Sequence, residues 1–147
     1  ARLPPLLVDG PGLGLMMPQV TAAALVSTAR QLAFPNSADT IPTCEDQEDH
    51  VAMSTSAARR ASDVLRLAER VVAIELLCAA RGVRVRQRQH AWRLGLGTAP
   101  VFAAIEAVMG AETPADDIAR VTSLVRDGSL LAAAGTASGP LICVPHA

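Results

Sequence analysis

The stretch "QEDHVAMSTSAARRASDVLRLAERVVAIELLCAA", Gln47 to Ala80, carries the plainest periodicity in the chain. Val51, Ala58, Leu65, Val72 and Ala79 recur every seven residues, and Ala57, Ala61, Val64, Ala68 and Val71 widen them into a stripe. Apolar residues at that spacing share one face of an α-helix. Arg59, Asp63, Arg66 and Arg70 line the opposite side, with Asp63 one helical turn from Arg59 and Arg66. The spacing predicts a helix from about Gln47 to Ala80, roughly 50 Å long at 1.5 Å per residue. Gly82 is the expected stop. The last third, "VVAIELLCAA", is apolar nearly all round and so expects neighbours on several sides. Glu75 inside it is expected to be paired across a helix contact, because an unpaired buried charge is expensive. A helix this long in a chain this short implies an oligomeric bundle.

Shorter helices flank it. "RLPPLLVDGPGLGL" (Arg2 to Leu15) reads as an irregular, Pro- and Gly-rich lead-in. A helix is expected from about Met17 to Phe34, with Pro18 in its first turn and Ala22, Leu25, Val26, Ala29, Leu32 and Ala33 on one face. Pro35 and Pro42 end it. "RGVRVRQRQHAWR" (Arg81 to Arg93) alternates Arg with Val or Gln and reads as a solvated or inter-subunit charged segment. Further helices are expected over about Ala99–Met109 and after "ETPAD", where Pro114 lies near the start and Ile118, Val121, Leu124 and Val125 carry the apolar face. The remainder, "AAAGTASGPLICVPHA", shows no clear periodicity. The division is therefore a helical part, 1–130, and a small-residue tail, 131–147.

Composition narrows the class. Half of the 147 residues are apolar, yet there are two Phe, one Trp and no Tyr. Ala, Leu and Val suit closely packed helices, whereas a β-sandwich draws on aromatic and β-branched residues. All-α is the expected fold class. A net charge of −1 offers no field for nucleic acid or an anionic membrane. No apolar run reaches membrane-spanning length and no signal peptide is recognisable. Cys44, Cys78 and Cys143 form no disulfide framework, which favours a reducing, cytoplasmic setting.

The chemistry is concentrated in "IPTCEDQEDHVAMS" (Ile41 to Ser54), where Glu45, Asp46, Glu48 and Asp49 fall within five positions. At the mouth of the long helix, acids would satisfy free N–H groups and the helix dipole. Capping accounts for one or two of them; four crowded carboxylates repel one another. The other reading is a working carboxylate. Cys44, Asp49 and His50 lack a second ligand pair at metal-binding spacing, so no metal is expected, and His50 is expected to make a structural hydrogen bond. Cys78 is expected in core packing.

The wording of the segment favours the working carboxylate. "QVTAAALVSTARQLAFPNSADTIPTCEDQEDHVAMSTSAARR", followed by "VVAIELLCAARG", closely resembles the C-terminal half of the histidine and aromatic amino acid ammonia-lyases. The likeness is dense from about Gly14 to Gly82 and looser through "RLGLGTAPVFAAI" and "ADDIARVTSLVRDGSLL". The resemblance implies elimination of ammonia from an aromatic α-amino acid, histidine favoured, on a homotetrameric bundle of long helices whose active sites are shared among subunits. It implies the electrophile 4-methylideneimidazole-5-one, formed from an internal Ala-Ser-Gly. Glu48, in the Gln-Glu-Asp-His block, takes the catalytic position, and Gln47 beside it contacts substrate. "GLMMPQ" aligns with the family's Gly-Phe-Met-Ile-Ala-Gln segment and places Met16 at the pocket wall. Phenylalanine and tyrosine lyases commonly carry Gln where Glu48 stands, so the histidine type is favoured. A carboxylate there can hydrogen-bond an ammonium or an imidazole N–H, or accept a proton.

The resemblance also departs from the family. Its cofactor-forming segment lies upstream of this region, and its catalytic Tyr residues have no counterpart. The one "ASG", Ala137 to Gly139, sits in the small-residue tail and is not expected to cyclise. The chain thus reads as a carboxy-terminal portion of a lyase that needs its amino-terminal part for activity. An aminomutase or a phenylalanine or tyrosine lyase would use the same scaffold. A catalytically silent assembly module would use the Val51–Ala79 stripe alone.

Overall fold

A computed structural model describes residues 3–8, 14–38, 40–90, 93–111 and 113–138. All its regular elements are helical: α1 (Met16–Leu32), α2 (Ser54–Gln89), α3 (Thr98–Val108), α4 (Pro114–Arg126) and α5 (Ser129–Ser138), with short 3₁₀ turns at Pro5–Leu7 and Asn36–Ala38. The all-α expectation holds. No helix among the described residues is long and apolar enough to cross a membrane.

The long helix is displaced from its expected position. It starts seven residues later than the periodicity suggests and runs nine residues beyond Ala80. At its start, Met53 takes a left-handed φ of +46° and no side chain caps the helix, so the acidic block lies outside it. Gly82 does not stop it. The residue is buried in mid-helix, facing Leu3 and Leu7 at close range. A glycine in a helix interior weakens it by about 1 kcal/mol, a cost that the packing of those two leucines offsets. "RGVRVRQRQ" is therefore helix, with Val85 buried. Arg84 forms an ion pair with Glu106 of α3.

α1 and α2 form an antiparallel hairpin. At one end, Arg60 Nη1 donates to the Phe34 carbonyl at 3.0 Å. At the other, Leu15 and Pro18 share a cavity wall with Leu77 and Arg81 of α2. Ala22, Leu25, Ala29 and Leu32 are half-buried along the hairpin, as their spacing predicts, whereas Val26 and Ala33 are exposed. The C-terminal half of α2 packs on α3 and α4, and α5 packs against both of those. Ala73, Leu77, Ala80, Ile105, Val121 and Leu130 form the buried core there, and Phe102, Ile118, Leu124 and Val125 lean on it. Cys78 is half-buried on α2 and is not among the residues that pack on this core. Burial pushes its thiol up from the ordinary value, Glu75 adds to that, and Arg81 partly opposes it. Glu75 itself is exposed, with no ion-pair partner among the described residues, so the expected pairing is not present.

The caps of the later helices follow their sequences. Thr113 Oγ1 accepts the Asp116 amide at 3.2 Å, and Pro114 opens α4. Asp117 Oδ1 accepts the amides of Gly110 and Ala111 at 3.0 and 2.9 Å, pinning the α3–α4 turn. Gly128 takes φ +77° between α4 and α5, a conformation that favours glycine. Asp127 accepts the Ser129 amide at 2.8 Å, and hydrogen bonds from Ser129 hold its carboxyl below the usual range. α5 occupies the stretch that showed no periodicity and crosses position 131.

The heptad stripe is where sequence and structure differ most. Leu65 is 61% exposed and Val72 42%, and Ala58 and Ala79 are exposed as well. The buried side of α2 is the adjacent line through Val64, Leu67, Val71, Ile74 and Leu77. Two intramolecular neighbours, α1 and α4, claim that line. The strict heptad is left outward on the described chain.

Candidate functional site

The acidic block forms a tight turn ahead of α2. Thr43 and Glu48 pair through both backbone bonds, Thr43 N–H to Glu48 O at 3.1 Å and Glu48 N–H to Thr43 O at 3.3 Å. Between them Cys44, Glu45 and Asp46 take φ of +53°, +57° and +65°. Left-handed backbone at three successive non-glycine residues is unfavourable for each of them. The Gln47 amide closes the turn onto the Cys44 carbonyl at 3.2 Å.

This geometry also gives the Glu48 side chain a hydrogen-bond partner. Thr43 Oγ1 donates to Glu48 Oε2 at 3.2 Å, so one carboxylate oxygen is anchored and the other remains available to accept. The Val51 amide donates to Thr40 Oγ1 at 2.9 Å and ties the exit of the turn to the strand of chain leading into it. Residues 41–50 are all exposed. The capping role for the four acids is thereby corrected: none lies in the first turn of α2. His50 is exposed and makes no hydrogen bond among the described residues, contrary to its expected structural role. No three His, Cys, Asp or Glu of the described residues are grouped so as to hold a metal.

Met16 opens α1 and is half-buried. The hairpin is antiparallel, so this end of α1 lies against the Leu77–Arg81 part of α2, while the Glu48 turn precedes Ser54 at the other end of α2. Gln47 lies beside Glu48 in the turn and is exposed. Four of the cavities among the described residues are lined by residues other than Met16, Gln47 and Glu48. The chain thus brings Gln47 and Glu48 together and leaves Met16 apart. Two positioning residues, Thr40 and Thr43, escaped the sequence reading. Their signal is only that a hydroxyl stands on each side of a turn-forming stretch.

A long-helix hairpin with a C-terminal helical layer and a carboxylate-bearing turn before its longest helix defines the class. The family model described as "Aromatic amino acid lyase" matches residues 1–107, and the chain belongs to that family. It is 44% identical to a histidine ammonia-lyase of Streptomyces avermitilis over 95% of its own length, and 43% identical to one of Symbiobacterium thermophilum over the same share. It spans 28% of the length of each of these relatives. The crystal structure of histidine ammonia-lyase from Trypanosoma cruzi superposes with a TM-score of 0.83 at 35% identity, covering 92% of this chain and 27% of that one. The helical fold is that of the corresponding part of histidine ammonia-lyase.

Proposed function

We propose that the chain is the carboxy-terminal helical part of an ammonia-lyase that eliminates ammonia from an aromatic amino acid, with histidine the favoured substrate, to give an unsaturated acid. The observation that carries the reading is the Glu48 turn. It holds one carboxylate oxygen on Thr43 and leaves the other to accept an ammonium or imidazole N–H. The similarity to histidine ammonia-lyases over 95% of the chain supports it. Gln47, adjacent in the same turn, contacts the substrate, and Met16 forms the wall against its ring.

The separation of Met16 from Glu48 favours a site completed between copies of the chain. An antiparallel neighbour laid along α2 would bring the Met16 end of one hairpin toward the Glu48 turn of another. The outward Leu65–Val72 face offers it an apolar surface, and a homotetramer of the lyase type fits both features. Burial of Glu48 would come from that neighbour and from the rest of the subunit.

The residues present do not fit formation of the family's 4-methylideneimidazole-5-one group. Ala137 and Ser138 end α5 in helical backbone, whose carbonyls are directed along the helix axis instead of toward the next-but-one amide. The third residue, Gly139, lies outside the described residues. The electrophile then belongs to the amino-terminal part of the same enzyme, and this chain contributes binding, orientation and a carboxylate. Cys44 and Cys78 are free thiols, which suits a cytoplasmic enzyme.

The test is complementation. The chain alone, incubated with histidine, is expected to release no ammonia, and mixing it with the amino-terminal part of the subunit is expected to restore turnover. Turnover by the chain alone would overturn the proposal.

A further inference from the structure

We propose that the segment Leu3–Val8 is a strap that positions Met16, seated on two glycines, Gly14 and Gly82. The inference deepens the proposed function, since Met16 matters to catalysis only if it lines the substrate pocket.

The observations come from two places in the fold. Gly14 precedes α1 by two residues and has φ +56°. A Cβ there would stand 2.4 Å from the Leu6 carbonyl oxygen and 2.8 Å from Val8 Cγ2. The first obstacle is backbone and cannot swing aside. Immediately after it, the Leu15 amide donates to that same Leu6 carbonyl at 2.9 Å. The strap thus grips Leu15, the residue just before α1, at a helix start that no side chain caps. Far along the sequence, Gly82 sits buried in α2, and a Cβ on it would meet Leu3 Cδ1 at 3.5 Å and Leu7 Cδ1 at 3.8 Å. Gly110, Gly128 and Gly135, by contrast, face open space. One segment therefore covers both glycines. It spans from the buried flank of α2 to the N-terminus of α1, and Met16 is the first helical residue after its grip.

The strap is itself bent to do this. Leu6 and Leu7 both take left-handed backbone, with φ of +51° and +50°. Such conformations persist in non-glycine residues only where surrounding contacts impose them. The contacts are those with Gly82 and Leu15.

Two variants release the strap by different routes. Gly14→Ala collides with the Leu6 carbonyl. Gly82→Leu fills the volume held by Leu3 and Leu7 while favouring the helix it sits in. Gly110→Ala is the control, carrying positive-φ strain with open space around it. Hydrogen exchange of the Leu15 amide is read on the chain, and KM and kcat for histidine are read on the complete lyase subunit. Both strap variants are expected to speed Leu15 exchange at least ~10-fold. They are also expected to raise KM about tenfold with kcat within about threefold, as loss of a binding contact made equally in the ground and transition states predicts. The control should do neither. Unchanged Leu15 exchange in both variants overturns the strap, and fast exchange with an unchanged KM overturns its link to the pocket. If the parent subunit fails to turn over histidine, the lyase reading falls, and the exchange measurement alone decides whether the strap holds α1.

Discussion

Leu65 and Leu77 are both leucines of α2, and either would pass as core in the sequence. The structure separates them, at 61% and 6% exposed. Leu→Ala removes three carbons. At about 0.8 kcal/mol for each buried one, with a cavity term added, Leu77→Ala should cost about 3 kcal/mol. Leu65 has less than half its surface covered, so its transfer loss is about 1 kcal/mol or less, and the better helix propensity of Ala trims it slightly. Urea unfolding of the chain, followed by far-UV circular dichroism, reads the difference. With an m-value of roughly 2 kcal/mol/M, the midpoint should fall by ~1.5 M for Leu77→Ala and by under ~0.5 M for Leu65→Ala. Dilution series keep association apart from folding: a cost at Leu65 that grows with protein concentration belongs to assembly. Equal, concentration-independent losses at the two positions would refute the assignment of the outward face.

Two further outcomes follow from single contacts. Asp117→Ala leaves the amides of Gly110 and Ala111 without their carboxylate acceptor, and partial rehydration should hold the loss to about 1–2 kcal/mol, seen as a drop in Tm of roughly 5 °C. Cys78, its thiol raised by burial and by Glu75, should react with iodoacetamide near neutral pH at least ~10-fold more slowly than exposed Cys44, because the thiolate is the nucleophile; peptide mass mapping over time checks this, and a faster Cys78 would contradict its partial burial.

Much of this architecture is legible in the residues. The helical class, α1 with Pro18 in its first turn, and α4 opening at Pro114 follow from period and punctuation. What escaped has identifiable causes. The boundaries of α2 were hidden because Val51 continues the heptad spacing while lying ahead of the helix, and because Gly82, a usual stop, is tolerated where Leu3 and Leu7 cover it. Its facing was ambiguous because two apolar lines run side by side, and only tertiary neighbours choose between them. α5 is too rich in Ala to show a face, so its apolar pattern carries no period. At the candidate site, the Gln-Glu-Asp-His block is what singles out Glu48 in the sequence. The Thr43 anchor was not legible, because it depends on a turn of left-handed residues that no propensity favours.

The central claim is that Glu48 works on the substrate, and Glu48→Gln in the complete subunit tests it most directly. The change keeps the size of the side chain and its bond from Thr43 while removing the negative charge. The account predicts an assembled, folded enzyme whose kcat for histidine falls by about 10²-fold or more, the scale of a lost acid–base or charge contact. A rate within about twofold of the parent would contradict it and leave the chain as a helical assembly module.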